Sequence, residues 1–469
     1  MNARSTTRGP HSAGRREWLV RAALAGAGLR LAGVGLPLAG AGLPLAGAGL
    51  PLAVRASAAT AAPMRTKAHI VVAGSGAGGL AVASRLAKAF DGARITVIDG
   101  KTEHNYQPGY MLVATGLWPM AKVRRDNAAF MPAGVEWVRE AVAGFDPHAQ
   151  RVETAGGRTI DYDFLVVATG LHLDYAQIEG MDVAAIGRNG LGSVYAGPQA
   201  AAATWAAIDA FRSTGGDAVL TLPSTPLKCA GAPLKTTFLL DDLLRRAGTR
   251  GRTQLQFHSA LPTDTVFGVP VVNDAVLARW KALDVQTHYL SRLVAVDPGA
   301  RRATFASPEG ERTEMPWDFL HVVPPMRAVD AVRDSELAWQ DGPFAAGGWL
   351  EVDPATLQHR RFPNVFGVGD INGTPRGKTA ATVKKSAPIV AAHVVDAVAG
   401  REPHLRFDGY TSCPLLLREG SAMLVEFDYE GRLTPSMPFV DPLQESWAAW
   451  VMERYMLEPM YLAMLRGRI

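Results

Sequence analysis

Two cysteines serve the whole 469-residue chain: Cys229, within residues 225–235 (TPLKCAGAPLK), and Cys413, within TSCPL. Two are too few for a disulfide scaffold, and their spacing suits no metal site. Together they can do thiol–disulfide chemistry; singly, each would be a buried and inert thiol. The surroundings of Cys229 favour reactivity. Pro233 suits the first turn of a helix running through LKTTFLLDDLLRR, which puts Cys229 just before a helix N-terminus. Lys228 adjoins it and Lys235 lies one turn inside the helix. A helix dipole and nearby ammonium groups both lower a thiol pKa.

What must position this pair is legible further up the chain. Residues 69–73 (HIVVA) read as a buried strand that runs straight into Gly74-Ser75-Gly76-Ala77-Gly78-Gly79. A helical stretch follows, then a second strand at 94–98 that ends in Asp99. In this order Gly74 makes the tight turn, Gly76 lets backbone approach a pyrophosphate, and Gly79 lets helix and strand pack closely. The helix N-terminus holds the phosphates and Asp99 the ribose hydroxyls. The motif alone does not separate FAD from NAD. Two later segments favour FAD: YDFLVVATG (162–170), which closes on Thr169 and Gly170, and NVFGVGD (364–370), which closes on Asp370. Strands ending this way return to the FAD domain in flavoproteins with two dinucleotide domains, where the Asp bonds the ribityl chain.

A second α/β unit opens at 217–222 (DAVLTL), where an NADH site would need another glycine loop. The chain gives Pro223-Ser224-Thr225-Pro226 and Cys229 instead, and the next strand, 254–258, ends without an acid. No NAD(P)H is expected here. The expected fold is therefore α/β, two Rossmann-like domains of the two-dinucleotide-binding flavoprotein type plus a C-terminal amphipathic helical tail. The expected boundaries are an FAD domain at 67–190 and 320–400, the second domain at 191–319, and a region at 401–469 carrying Cys413 and the tail.

Several motifs together resemble sulfide:quinone oxidoreductase, in the branch that includes the mitochondrial enzyme. They are Tyr106-Gln107-Pro108, KCAGAP with Lys235, HVVPPM (321–326), LQHRRFPNVFGVGD (357–370), KTAA at Lys378 and FDGYTSCPL (407–415). The resemblance covers roughly residues 67–469. It implies a monotopic enzyme with non-covalent FAD and no metal, in which Cys229 and Cys413 form a disulfide or trisulfide beside the flavin. Hydrosulfide would open this bridge, leave a persulfide on Cys413 and release Cys229 toward the flavin. A small nucleophilic acceptor would remove the sulfane sulfur, and membrane quinone would take the electrons. Gln107 and Pro108 are expected beside FAD, and Lys235 and Lys378 to stabilise anionic sulfur and reduced flavin.

The ends of the chain bear on location. Net charge is +4, but the seven arginines and single glutamate of residues 1–58 account for it, and the remaining residues carry two more acids than bases. Nucleic acid is therefore not an expected partner. Arg15-Arg16-Glu17-Trp18-Leu19 resembles a twin-arginine export signal. Four seven-residue units of the AGAGLPL kind follow it, and Ala56-Ser57-Ala58 fits a cleavage site, so a periplasmic location is expected. The alternative is an uncleaved anchor, since residues 31–54 carry no charge. In the tail, Trp447, Trp450, Arg454 and Tyr455 sit at helical spacing, with Glu458-Pro459 read as a break between two helices on a bilayer surface near the quinone. A packed helix or dimer seam is the competing reading, and oligomeric state is open, a homodimer included. Rival functions are the flavin subunit of flavocytochrome c sulfide dehydrogenase, which would need a third cysteine for its flavin, and a type 2 NADH dehydrogenase, which would need the second glycine loop. A non-catalytic FAD-binding sensor is the third.

Overall fold

The apolar run His69–Ala73 forms β1, buried from Ile70 onward. A continuous run rather than an alternating one marks a strand covered on both faces. In the computed structural model, which describes residues 62–469, β1 is central to a five-stranded parallel sheet. Helix α1 (Ala77–Ala89) leads to β2 (Arg94–Ile98), and β3 (Glu136–Val138) and β4 (Phe164–Val167) follow. The last strand to join comes from far along the chain, β10 (Val365–Gly367), and the order is β10-β4-β1-β2-β3. The NVFGVGD segment thus returns to the sheet that carries the glycine loop, with Leu165 opposite Val365.

The second unit is also parallel. It comprises β5 (Leu191–Gly192), β6 (Gly216–Leu222), β7 (Thr253–Ser259), β8 (Val285–His288) and β9 (Phe319–His321), in the order β5-β9-β6-β7-β8. Helix α2 (Pro198–Thr214) precedes β6 and α3 (Ala232–Ala247) follows it. Each parallel sheet is accompanied by a three-stranded antiparallel meander, at 142–161 and 292–316. Strand β9 runs across the 319/320 boundary expected from the sequence. The crossing back is made by Met326–Ala328, antiparallel to Leu171–Leu173.

Helix α4 (Ala380–Val398), capped by the Thr379 hydroxyl accepting from the Thr382 amide, packs on α1. The hairpin β11 (Thr411–Arg418) and β12 (Ser421–Phe427) then lies between the two units. One face, with Cys413 and Leu415, joins the core of the second unit, and Leu416 and Leu424 join the core of the first. The tail is α5 (Trp447–Val451), one π turn (Met452–Met456) and α6 (Leu457–Leu465). This corrects the expected break: Pro459 lies inside α6, and the irregular turn precedes it. A proline lacks the amide that would bond the carbonyl four residues back, which frees the preceding turn to widen. Among the described residues no helix is long and apolar enough to cross a membrane. The Arg15-Arg16 segment, the repeats and Ala56-Ser57-Ala58 lie outside the described residues.

Candidate active site

A cavity of about 910 Å³ runs from the glycine loop to the two cysteines and on to the tail. That is at the upper end of cofactor-sized sites, about 300–1,000 Å³. At one end Gly74 has φ +115°, and a side chain there would strike the Ala168 carbonyl; one on Gly79 would strike the Gly74 carbonyl. A side chain on Gly76 would meet nothing within 4 Å, because it would project into the cavity. Asp99 accepts from the Ser75 amide at 2.7 Å and hydroxyl at 2.9 Å while lining the same space. Thr169 Oγ1 and Asn105 Oδ1 are buried on this wall without a hydrogen-bond partner. An empty cradle over Gly76 with orphaned polar atoms around it fits a dinucleotide such as FAD. Gly76, Asp99, Gln107, Pro108, Thr169, Gly170, Asp370 and Lys378 all line it; Gly74 and Gly79 act through packing.

The cysteines meet at the other end. Cys229 lies between β6 and α3 with φ +49°, a left-handed backbone that a non-glycine residue adopts only when its surroundings hold it there. Its amide donates to the Lys378 carbonyl at 2.9 Å, and its carbonyl accepts from the Tyr195 hydroxyl at 3.2 Å. Cys413 comes from β11, and the two thiols line the same cavity close enough to perturb each other's titration. They can approach because residue 231 is glycine: a side chain there would overlap Cys413 Sγ and Leu415. The neighbouring Cys413 thiol, with Lys235 and Lys228 close by, lowers the Cys229 pKa against the opposing effect of burial. The same proximity and burial push Cys413 up. Lys235 is 2 % exposed; burial opposes its charge, but Cys229, Glu453 and Cys413 hold it protonated.

Lys378 differs from Lys235. Its ammonium donates to the carbonyls of Asp370 (2.6 Å) and Asn372 (2.9 Å) and sits 3.6 Å from the Trp349 ring centre. Burial brings its pKa down to about 7, opposed by Asp370. Burial also raises the Asp370 carboxyl, opposed by Lys228 and Lys378.

The tail residues divide. Trp447 is 64 % exposed, and Tyr455 and Met456 are exposed beside it. Trp450, expected on the bilayer face, is buried in the core instead, because helical spacing does not reveal which face of a short helix is covered. Arg454, expected at a quinone mouth, donates to the Leu117 carbonyl at 2.7 Å and packs over Trp118. None of these five lines the cavity; Met452, Glu453, Leu457, Met460, Tyr461 and Met464 do. Sequence reasoning missed Gly231, Tyr195 and Glu453. It also missed a buried chain of hydrogen bonds that runs from Tyr461 through His104 and Asn127 to Ser75 and Asp99. A glycine two residues after a reactive cysteine was the only one of these signals visible locally.

Residues 68–207 match the pyridine nucleotide-disulphide oxidoreductase family. The chain is 34% identical over 402 residues to "Sulfide:quinone oxidoreductase, mitochondrial" of Mus musculus, covering 85% of this chain and 86% of the relative. It is 34% identical over 407 residues to the protein of the same name in Dictyostelium discoideum, covering 86% and 87%. The fold is similar to the solved sulfide:quinone oxidoreductase of Aquifex aeolicus, with a TM-score of 0.70 at 19% identity over 86% of this chain and 92% of that one. With two cysteines meeting beside a dinucleotide cradle, and relatives alike over most of their length, the chain belongs to the sulfide:quinone oxidoreductase family.

Proposed function

We propose that this protein oxidises sulfide at the Cys229–Cys413 pair and passes two electrons by way of FAD to a quinone. The observation that carries the reading is the meeting of the two thiols in one cavity beside the buried Lys235 ammonium. FAD, held along Gly76, Asp99, Thr169 and Asp370, supplies a two-electron acceptor when bound. The pair itself has a direction. In thiol–disulfide exchange the thiol of lower pKa leaves faster. Cys229 is lowered and Cys413 raised, so sulfide entering an oxidised pair as hydrogen sulfide forms its new S–S bond to Cys413 and releases Cys229 as thiolate, with one proton set free. Lys235 pairs with that thiolate in a dry site, where a fixed charge counts for more than in water. A small nucleophile then takes the outer sulfur from Cys413, and the bridge re-forms as the two cysteine sulfurs give up two electrons, for which bound FAD would be the acceptor.

Electron input from NAD(P)H is not part of this reading. Residues 223–231 offer prolines and a cysteine where a phosphate cradle would be, and beside β7 the His258 ring stacks on Phe305 at 4.0 Å. Anaerobic titration tests the point. Stoichiometric sulfide should bleach the flavin absorbance and NADH should leave it unchanged; the reverse pattern would overturn the reading.

The quinone end is assigned to the cavity wall of Met452, Leu457, Met460 and Met464, and the lipid contact to Trp447, Tyr455 and Met456. Aromatic and long apolar side chains on an anchored helix suit the boundary between headgroups and acyl chains. Replacing those three by serine should cut binding to phospholipid vesicles about tenfold or more, since each contributes on the order of 1 kcal/mol of burial, while sulfide still bleaches the flavin. Co-sedimentation with vesicles and the anaerobic titration read the two properties separately. Location divides the indications. Arg15-Arg16 points to export, whereas the mouse and Dictyostelium relatives are named mitochondrial. Fractionation of cells carrying Arg15→Lys with Arg16→Lys decides it: retention on the cytoplasmic side would support export through that segment.

A further inference from the structure

Glu453 is the one acid that the tail brings into the cavity, and the reaction as described leaves it without a task. It sits on the π turn and is 2 % exposed, and its Oε2 is buried without a hydrogen-bond partner among the described residues. A carboxylate held this way for structure alone would be expected to have a paired cation and satisfied oxygens. The groups facing it are Lys235 from α3, Cys229 from the loop before α3, and Tyr106 from the segment before the Gln107–Gly109 turn. Tyr106 is buried and stays protonated. On its own turn, Arg454 is directed away to the Leu117 carbonyl. Lys235 is therefore the ammonium shared by the Cys229 thiol and the Glu453 carboxyl; Cys413, also near it, is pushed toward its protonated form, and Lys228, also near Cys229, faces Asp370.

That arrangement balances only one anion at a time. While the bridge between the cysteines is closed, no thiolate is present and Lys235 balances the Glu453 carboxylate. When the bridge opens, Cys229 becomes the anion beside Lys235, and a second negative charge in the same dry space is disfavoured. We infer that Glu453 takes up the proton released when sulfide opens the Cys229–Cys413 bridge, so that the site holds a single compensated anion in both states. The inference rests on the sulfide-oxidising reading above.

The step balances. Hydrogen sulfide forms a bond from its sulfur to Cys413 as the Cys229–Cys413 bond breaks. The sulfide sulfur is oxidised to the level of a persulfide and Cys229 is reduced to a thiolate; one of the two protons of hydrogen sulfide stays on the persulfide and the other passes to the Glu453 carboxylate. The Glu453 pKa is in keeping with this, raised to about 7 by burial and by the Cys229 thiolate against the pull of Lys235. When Cys229 is oxidised again the carboxyl loses that neighbour and can release its proton. Widening of the helix just before Pro459 is what sets this side chain into the cavity wall rather than along the outer face with Tyr455.

The test opens the bridge of the purified, flavin-loaded protein with dithiothreitol, so that sulfide is not needed. An infrared difference spectrum near neutral pH should show a protonated carboxyl appearing on reduction. It should vanish in Glu453→Gln and return, shifted, in Glu453→Asp. Over the same pH range the midpoint potential of the bridge should follow two protons per two electrons in the wild type and one in Glu453→Gln, since one proton goes to Cys413 in both. A carboxyl band that survives Glu453→Gln, or equal proton counts in the two proteins, would overturn the inference. Flavin content and thermal melting check that the variants fold, and the aspartate variant carries the test should glutamine perturb the site. Failure of sulfide to bleach wild-type flavin would instead count against the sulfide reaction, and it is read in a separate experiment.

Discussion

Cys229→Ser and Cys413→Ser are each expected to retain FAD and to lose sulfide-driven flavin reduction by about 1,000-fold or more, the scale on which removal of a covalent participant is felt. A serine oxygen cannot close the sulfur bridge, so hydrosulfide has no bond to open. Neither cysteine belongs to the Gly74–Gly79 loop, hence the expectation that flavin stays bound. The two variants should differ in stability. Cys413 is buried at 4 % exposure among Leu415, Leu417 and Val425, whereas Cys229 is only partly covered. Serine at 413 places a hydroxyl in an apolar core and should cost about 1–3 kcal/mol; serine at 229 should cost less. Stopped-flow flavin absorbance after mixing with sulfide, together with thermal melting, reads both effects. Normal bleaching in either variant would remove the pair from the mechanism.

Gly76→Val should fold and purify without flavin. A side chain at 76 meets no protein atom within 4 Å, so the chain itself does not resist it, and φ at this position is −72°, ordinary for any residue. What valine would occupy is the part of the cavity proposed for the pyrophosphate. Gly79→Val is the informative contrast. There a side chain would run into the Gly74 carbonyl, so the strand–helix junction itself must shift and the fold should suffer. The ratio of flavin to protein absorbance, alongside circular dichroism, separates an empty folded protein from a damaged one. Full flavin content in Gly76→Val would mean that the nucleotide lies elsewhere in the cavity.

The parts of this site that were legible in the sequence are those encoded by neighbours. The run from His69 to Asp99 determines its own turn, helix and acid through local backbone requirements, and the structure carries all of them. Cys229 stood out because a cysteine between prolines replaced a glycine loop. Its approach to Cys413 came from the family resemblance, since α3 and β11 meet only through tertiary packing. Glu453 was invisible for the same reason: its position depends on a widened turn, and the sequence signal, Pro459, was read as a break between helices. Spacing marked Trp450 and Trp447 as equivalent, yet one is in the core and the other in solvent, because five residues of helix do not declare which side the rest of the protein will cover. Lys378, expected beside the flavin, lines the cavity, but its ammonium is engaged by two carbonyls and a tryptophan ring, a set of partners that no local pattern specifies.

Tyr461 bonds His104 at 2.7 Å, His104 bonds Asn127, and Asn127 reaches the serine of the glycine loop; Ser84, Arg85 and Lys88 of α1 meanwhile hold the last carbonyls of the chain. The part that would touch lipid is thus also scaffolding for the nucleotide cradle. A truncation designed to yield a freely soluble enzyme would remove a strut of the cofactor site along with the greasy surface. Detergent that merely shields Trp447 would leave that strut in place.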